Sequence, residues 1–238
     1  MMAAMAWPAL VSLCASFLLT VTLQRLARRV ATRLYRSAVL VYGGVDQLPI
    51  QRGAIAWFVL WFSPVAAWLI YRLIIGDAPA AGWLLLTVLL GLLALIDART
   101  GLLPNELTLP LLLSGLGWQS WLAGSLLPPV HCCWGVVFGW LFPSFLNAGL
   151  QRWRGVSAIG QGDSRLLAGM GGWLGVQWLP ALWLMASLAM LFSLTIQWLL
   201  TRRWQSSVAM GPFLAVAGAV AMISHMLEAE LQWHAFNP

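Results

Sequence analysis

Charge is what this chain lacks most. Only 8% of its 238 residues are Asp, Glu, Lys or Arg, against roughly a quarter in soluble globular proteins. Seven acidic and thirteen basic groups cannot clothe a surface of this size, so a water-soluble globule is excluded and most of the surface must face hydrocarbon. Lysine is absent, and all thirteen cations are Arg. The net charge of +6 does not read as a nucleic-acid footprint, because the arginines stand between apolar runs rather than among aromatics on a polar face. Cysteine is scarce too. Cys14, Cys132 and Cys133 all fall in apolar stretches and no CxxC pair occurs, which excludes a disulfide framework and leaves no thiolate set for a metal.

What is abundant is apolar: 61% of the residues are hydrophobic and sixteen are Trp. Crossing about 30 Å of hydrocarbon takes roughly 17–25 helical residues, and runs that long lie at 7–23, 54–75, 80–96, 108–127, 129–150, 181–200 and 208–227. Trp7, Trp57, Trp83, Trp121, Trp153, Trp178 and Trp204 stand near the run ends, which predicts an indole belt at headgroup depth. Positive charge follows the first run instead of preceding it, so the run reads as a retained span with its N-terminus outside, not as a signal peptide. From Gln24 to Arg36, Arg25, Arg28, Arg29, Arg33 and Arg36 share one helical arc and Leu26, Val30 and Leu34 the opposite one. That pattern predicts an amphipathic helix lying on the inner leaflet, within a short basic cytoplasmic loop over 24–53.

The bias of Arg toward the cytoplasm orients the rest. Loops 25–52, 97–106, 151–165 and 201–206 carry Arg and are expected inside, while the connections near Asp77 and Pro128 and the tail with Glu228 and Glu230 are expected outside. Parity then demands one more crossing. The chain is inside at Arg165 and inside again at Arg202, so the short Gly-rich segment 166–179 must also cross. Gly169, Gly171, Gly172 and Gly175 in it permit close helix approach and predict burial in the bundle. The expected architecture is an all-α polytopic transmembrane bundle of about eight spans, a single membrane-embedded domain over 1–238 with both termini periplasmic.

Ionisable groups at membrane depth are the first functional candidates in such a chain. Asp97 closes the third run (GLLALIDART) and Asp163 precedes the short Gly-rich one (GQGDSR), both at the expected cytoplasmic surface. Two facing carboxylates share a proton, so the pair supplies a base that activates water and an acid for a leaving amine. Gly160 and Gly162 flank Asp163 without a Cβ and leave room for an extended substrate. The bland alternative pairs Asp97 with Arg99 and Asp163 with Arg165 as interfacial ion pairs worth about 0–1 kcal/mol. Glu106 shares the inner loop with Asp97, where it either attracts a basic substrate or is solvated beside Arg99; Gly101, Pro104 and Pro110 stop the helix there. His131 and His225 fall near outer ends, remote in depth from the carboxylates.

The segments LIDARTGLLPNELTLPLLLSGL (Leu95 to Leu116) and IGQGDSRLLAGMGGWLG (Ile159 to Gly175) resemble, in order, the two active-site segments of the bacterial type IV prepilin peptidases. GPFLAVAG (Gly211 to Gly218) and SFLLTVTLQRL (Ser16 to Leu26) resemble two further pieces of that family. The resemblance implies that Asp97 and Asp163 are the catalytic aspartates, supported by Gly160, Gly162, Arg165 and Glu106. It implies cleavage of the basic leader from prepilins or pseudopilins at the cytoplasmic face of the bacterial inner membrane, in a pilus or secretion system. Three departures stand out. The family's segment with two zinc-binding CxxC pairs has no counterpart, Arg165 stands where Lys is usual, and Leu19 stands where the family has Asn in its first span.

The reading is therefore a membrane aspartic endopeptidase that needs no metal and no cofactor for cleavage. S-adenosylmethionine enters only if N-methyltransferase activity is retained, as in a bifunctional alternative. A second alternative is a non-catalytic assembly factor of a pilus or secretion machine. The partners expected are the prepilin or pseudopilin and the lipid bilayer, not nucleic acid, and oligomeric state is left open.

Overall fold

The computed structural model describes residues 2–42, 52–119, 128–155, 159–202 and 208–236, and every regular element among them is helical. The chain forms two compact units, Met1–Leu103 and Pro104–Pro238. The first holds α1 (Met2–Tyr42), α2 (Arg52–Ile74) and α3 (Pro79–Thr100). The second holds α4 (Asn105–Gly117), α5 (Pro129–Arg154), α6 (Gln161–Leu174), a 3₁₀ turn (Val176–Trp178), α7 (Leu179–Thr201) and α8 (Gly211–Phe236). The chain is a multi-pass helical membrane protein. Among the described residues, five stretches are long and apolar enough to cross: Pro8–Arg33, Pro79–Thr100, Pro129–Arg154, Val176–Thr201 and Gly211–Glu228. The apolar part of α2, Trp61–Ile74, is shorter. So are α4 and α6, with 13 and 14 residues; at 1.5 Å per residue α6 is only about 21 Å long.

In the first unit each helix packs against the other two. Small and hydroxyl residues spaced along α1 (Ser12, Ser16, Thr20, Ala27, Ala31) make its buried stripe, together with Leu23. The hydroxyls satisfy themselves within the helix: Ser12 Oγ donates to the Ala9 carbonyl at 2.8 Å and Thr20 Oγ1 to that of Ser16 at 2.7 Å. Leu10, Leu13, Phe17 and Leu18 on the other side are exposed, as lipid-facing residues are. The expected break at Gln24 is absent, and α1 runs on as one helix to Tyr42. The physical reason is that no Gly or Pro follows Pro8 in this helix; a change from apolar to basic side chains alters a helix's surroundings, not its backbone. Leu26 is exposed, while Leu23, Ala27 and Ala31 are buried. Between α2 and α3, Arg72 Nε pairs with Asp77 Oδ2 at 2.5 Å and its guanidinium lies over Trp68.

In the second unit α6 is the hub, packed against α4, α5 and α8, while α7 packs on α8. The burial expected of the Gly-rich segment is found, with every residue from Leu166 to Leu174 buried. The closest approach is between α5 and α6. A Cβ on Gly135 would collide with the Gly171 carbonyl, and one on Gly139 would stand 2.8 Å from the Ala168 Cα. Trp173 locks α6 to α4: its indole N–H donates to the Leu111 carbonyl at 2.9 Å, and its own carbonyl accepts from Gln119 Nε2 at 2.7 Å. The segment 166–179 is not one helix. α6 begins at Gln161 and stops at Gly175, whose φ of +83° no helix accepts.

The Trp belt is incomplete, since Trp83 is fully buried. Large indoles near helix ends fill protein interiors where neighbouring helices cover them. Pro110 lies inside α4 rather than in the loop before it. Asp46, Trp121 and Trp204 lie outside the described residues, as do parts of the loops 24–53, 151–165 and 201–206.

Candidate active site

Asp97 sits in the last turn of α3, 4% exposed. The helix ends there because Gly101 turns left-handed (φ +63°) and its N–H caps the Asp97 carbonyl at 2.7 Å. Thr100 reinforces the stop, donating to the Ile96 carbonyl at 2.9 Å and accepting from the Leu102 N–H at 3.2 Å. Arg99 turns toward α1, its Nη1 reaching the Gln24 carbonyl at 3.4 Å.

Asp163 belongs to the other unit, in the first turn of α6. Gly160, with extended backbone (φ −68°, ψ 142°), is the N-cap, which places Asp163 at the third helical position. A carboxylate there suits the positive end of the helix and reaches back toward the cap. Two influences oppose each other on this group. Burial disfavours the charged form and dominates, the Gly160 backbone stabilises it, and the pKa is pushed up to about 6. Near that pH the group holds a proton half the time, the condition in which one carboxyl can accept a proton from water or return one to an amine. Gly160 is exposed and Gly162 partly so. A Cβ on Gly160 would come within 3.2 Å of Asp163 Oδ2, so the missing side chain keeps this flank of the carboxylate clear.

Arg165, two residues on, does not pair with Asp163 among the described residues. Its Nη1 donates instead to Asn105 Oδ1 in the first turn of α4. The same turn holds Glu106, exposed, which therefore shares a unit with Asp163 and Arg165, not with Asp97. On the other side of the turn, the Ile159 N–H donates to Asn147 Oδ1 of α5 at 3.1 Å. Asn105 and Asn147 had no place in the sequence reading. A signal exists for Asn147, an amide within the mostly apolar part of a helix, since such groups find partners; Asn105 reads only as a loop residue after Pro104. His131 is exposed, and His225 is buried with its ring 6.4 Å from Trp178. Among the described residues no three His, Cys, Asp or Glu side chains gather as ligands to a metal would.

Residues 84–195 match the type IV leader peptidase family. Both segments on which the sequence resemblance rested, Leu95 to Leu116 and Ile159 to Gly175, lie inside that range, so the resemblance holds. Among curated proteins, the prepilin leader peptidase/N-methyltransferase of Dickeya chrysanthemi is 42% identical over 137 residues, 57% of this chain and 47% of that protein. The protein of the same name from Aeromonas hydrophila is 38% identical over 139 residues, 58% of this chain and 47% of that one. The one from Escherichia coli K12 is 36% identical over 128 residues, 54% of this chain and 56% of that one. The chain spans about half the length of the curated relatives it matches. No solved structure matches it.

Proposed function

We propose that this chain, similar across residues 84–195 to the type IV leader peptidase family, is an aspartic endopeptidase that removes the leader from type IV prepilins or type II secretion pseudopilins. It works in the bacterial inner membrane with its reacting groups toward the cytoplasm, and its two units serve as one peptidase domain. Asp97 and Asp163 act on one water. The deprotonated carboxylate takes a proton as the water oxygen bonds to the scissile carbonyl carbon, and the protonated one hydrogen-bonds the developing oxyanion. The C–N bond then breaks and the leaving amine takes a proton from the pair, which titrates as one coupled unit. Gly160 and Gly162 leave space for the extended substrate, and Glu106 attracts its basic leader. Arg165 holds its charge away from Asp163.

The observation that carries this reading is the position of both aspartates within the matched residues, joined to the near-neutral proton affinity of Asp163. Cleavage needs no metal and no cofactor. The test is co-expression with a candidate prepilin: the substrate should shift to the mature mobility with this chain and stay unprocessed with Asp97→Ala or Asp163→Ala. An unshifted prepilin beside stably inserted wild-type protein would favour a non-catalytic assembly role. The names of these relatives favour a second reading, a bifunctional enzyme that also methylates the new N-terminus with S-adenosylmethionine. We assign no residues of this chain to that donor, and a processed pilin heavier by one methyl group in mass spectrometry would establish the activity.

A further inference from the structure

The first turn of α6 is poorly held by its own backbone. Its N-cap is Gly160, which has no side chain to bond the free N–H groups of the turn. The first bonds that close it are long, Ser164 N to the Gly160 carbonyl at 3.4 Å and Ser164 Oγ to the same oxygen at 3.5 Å. Gly160 and Gly162 add backbone freedom on either side of Gln161. The carboxylate carried on this turn is tied to its own cap, so its place depends on what holds the turn as a whole.

Two side-chain amides do so, one on each side of Asp163. Asn147 of α5 accepts the Ile159 N–H at 3.1 Å, just ahead of the N-cap. Asn105 of α4 accepts from Arg165 Nη1, just after Asp163. Both helices pack against α6, so the anchors stand on rigid elements. We propose that Asn147 and Asn105, the latter through Arg165, are positioning residues that fix the first turn of α6 and so aim the Asp163 carboxylate. The proposal rests on the peptidase reading above. Asn147 acts on the backbone ahead of the N-cap and Asn105 on Arg165. The Asn105 bond is exposed and adds little to global stability, whereas misplacing a reacting group by about 1 Å costs on the order of a hundredfold in rate. The signature of the clamp is thus a loss in turnover out of proportion to any loss in stability.

The test uses the full chain in mixed micelles with a purified prepilin. Asn147→Ala and Asn105→Leu should each lower kcat roughly tenfold or more, with KM and the thermal midpoint nearly unchanged. Amide hydrogen exchange at residues 160–164 should accelerate in both. Asn105→Asp, which still accepts from the guanidinium, should restore most of the turnover, and Arg165→Leu should cost no more when added to Asn105→Leu than the coupling of one shared bond allows. Wild-type turnover in both amide variants would overturn the proposal. So would a kcat that falls only in step with the thermal midpoint, since that marks a merely structural role. Failure of the peptidase reading is seen separately, as absence of cleavage by the wild-type chain.

Discussion

Replacing Gly139 by Ala adds one methyl group where two helices have no room for it. Its Cβ would stand 2.8 Å from both the Ala168 Cα and the Leu167 carbonyl oxygen of α6, where ordinary contact begins at 3.4 Å. The obstructing atoms are backbone, so no rotamer change relieves the clash and α5 and α6 must part by about 0.6 Å or roll. Gly149 is an internal reference on the same helix, exposed and with nothing within 4 Å of its added Cβ. Gly149→Ala gains only helix propensity, about 1 kcal/mol at most. Gly139→Ala makes the same gain and overpacks, so the two variants should differ by about 1–3 kcal/mol, with Gly139→Ala the less stable. Equilibrium unfolding in mixed micelles at rising SDS fraction measures that difference. If both variants unfolded at the same SDS fraction, the α5–α6 seam would be yielding and the packing argument wrong.

Three further outcomes are expected. Asp97→Ala and Asp163→Ala should each abolish leader cleavage while the protein stays in the membrane, and Asp97→Asn should be nearly as harmful because an amide cannot take the proton; Asp77, paired with Arg72, should be replaceable with near wild-type cleavage on the same gel. The pH profile of cleavage should carry a limb near 6, where Asp163 titrates. With its folded pKa raised above the unfolded value, Asp163 favours folding below about pH 4 and loses that contribution as pH rises through about 6, so Asp163→Asn should flatten the stability profile over that window. Reporters fused after Arg36, Arg99, Arg154 and Arg203 should report cytoplasm and those after Asp77, Pro129 and Gln232 periplasm, whereas a fusion after Trp178 that reported cytoplasm would make 166–179 re-entrant and bring the C-terminus inside.

Helices were legible where length and apolarity act together. The runs at 80–96, 129–150 and 181–200 lie within α3, α5 and α7, because a long apolar segment in lipid has no other way to satisfy its backbone. Charge misled the reading in two places. The arginines after Gln24 suggested a new element, yet helix ends are set by residues that break the backbone, and α1 meets none before Tyr42. Asp163 and Arg165 suggested a loop before Leu166, yet an acidic residue in a first helical turn is favourable, and α6 begins at Gln161. The two aspartates were legible as lone carboxylates at the ends of apolar runs. Asn105 was not, since its partner Arg165 lies 60 residues along the chain and no periodicity reports such a bond.

The shortness of α6 bears directly on the chemistry of Asp163. A helix of 14 residues is too short to cross hydrocarbon alone, and its run from Leu166 to Leu174 is covered by protein on all sides. The carboxylate at its start is partly buried among protein atoms. Protein supplies compensating dipoles where lipid supplies none, here the Gly160 backbone. Burial disfavours the charged form and raises the pKa. The opposing dipoles hold the balance at about 6, within reach of both protonation states. The small residues Gly135, Gly139 and Gly171, which let α5 close over α6, are what allows so short a helix to be buried with a carboxyl at one end.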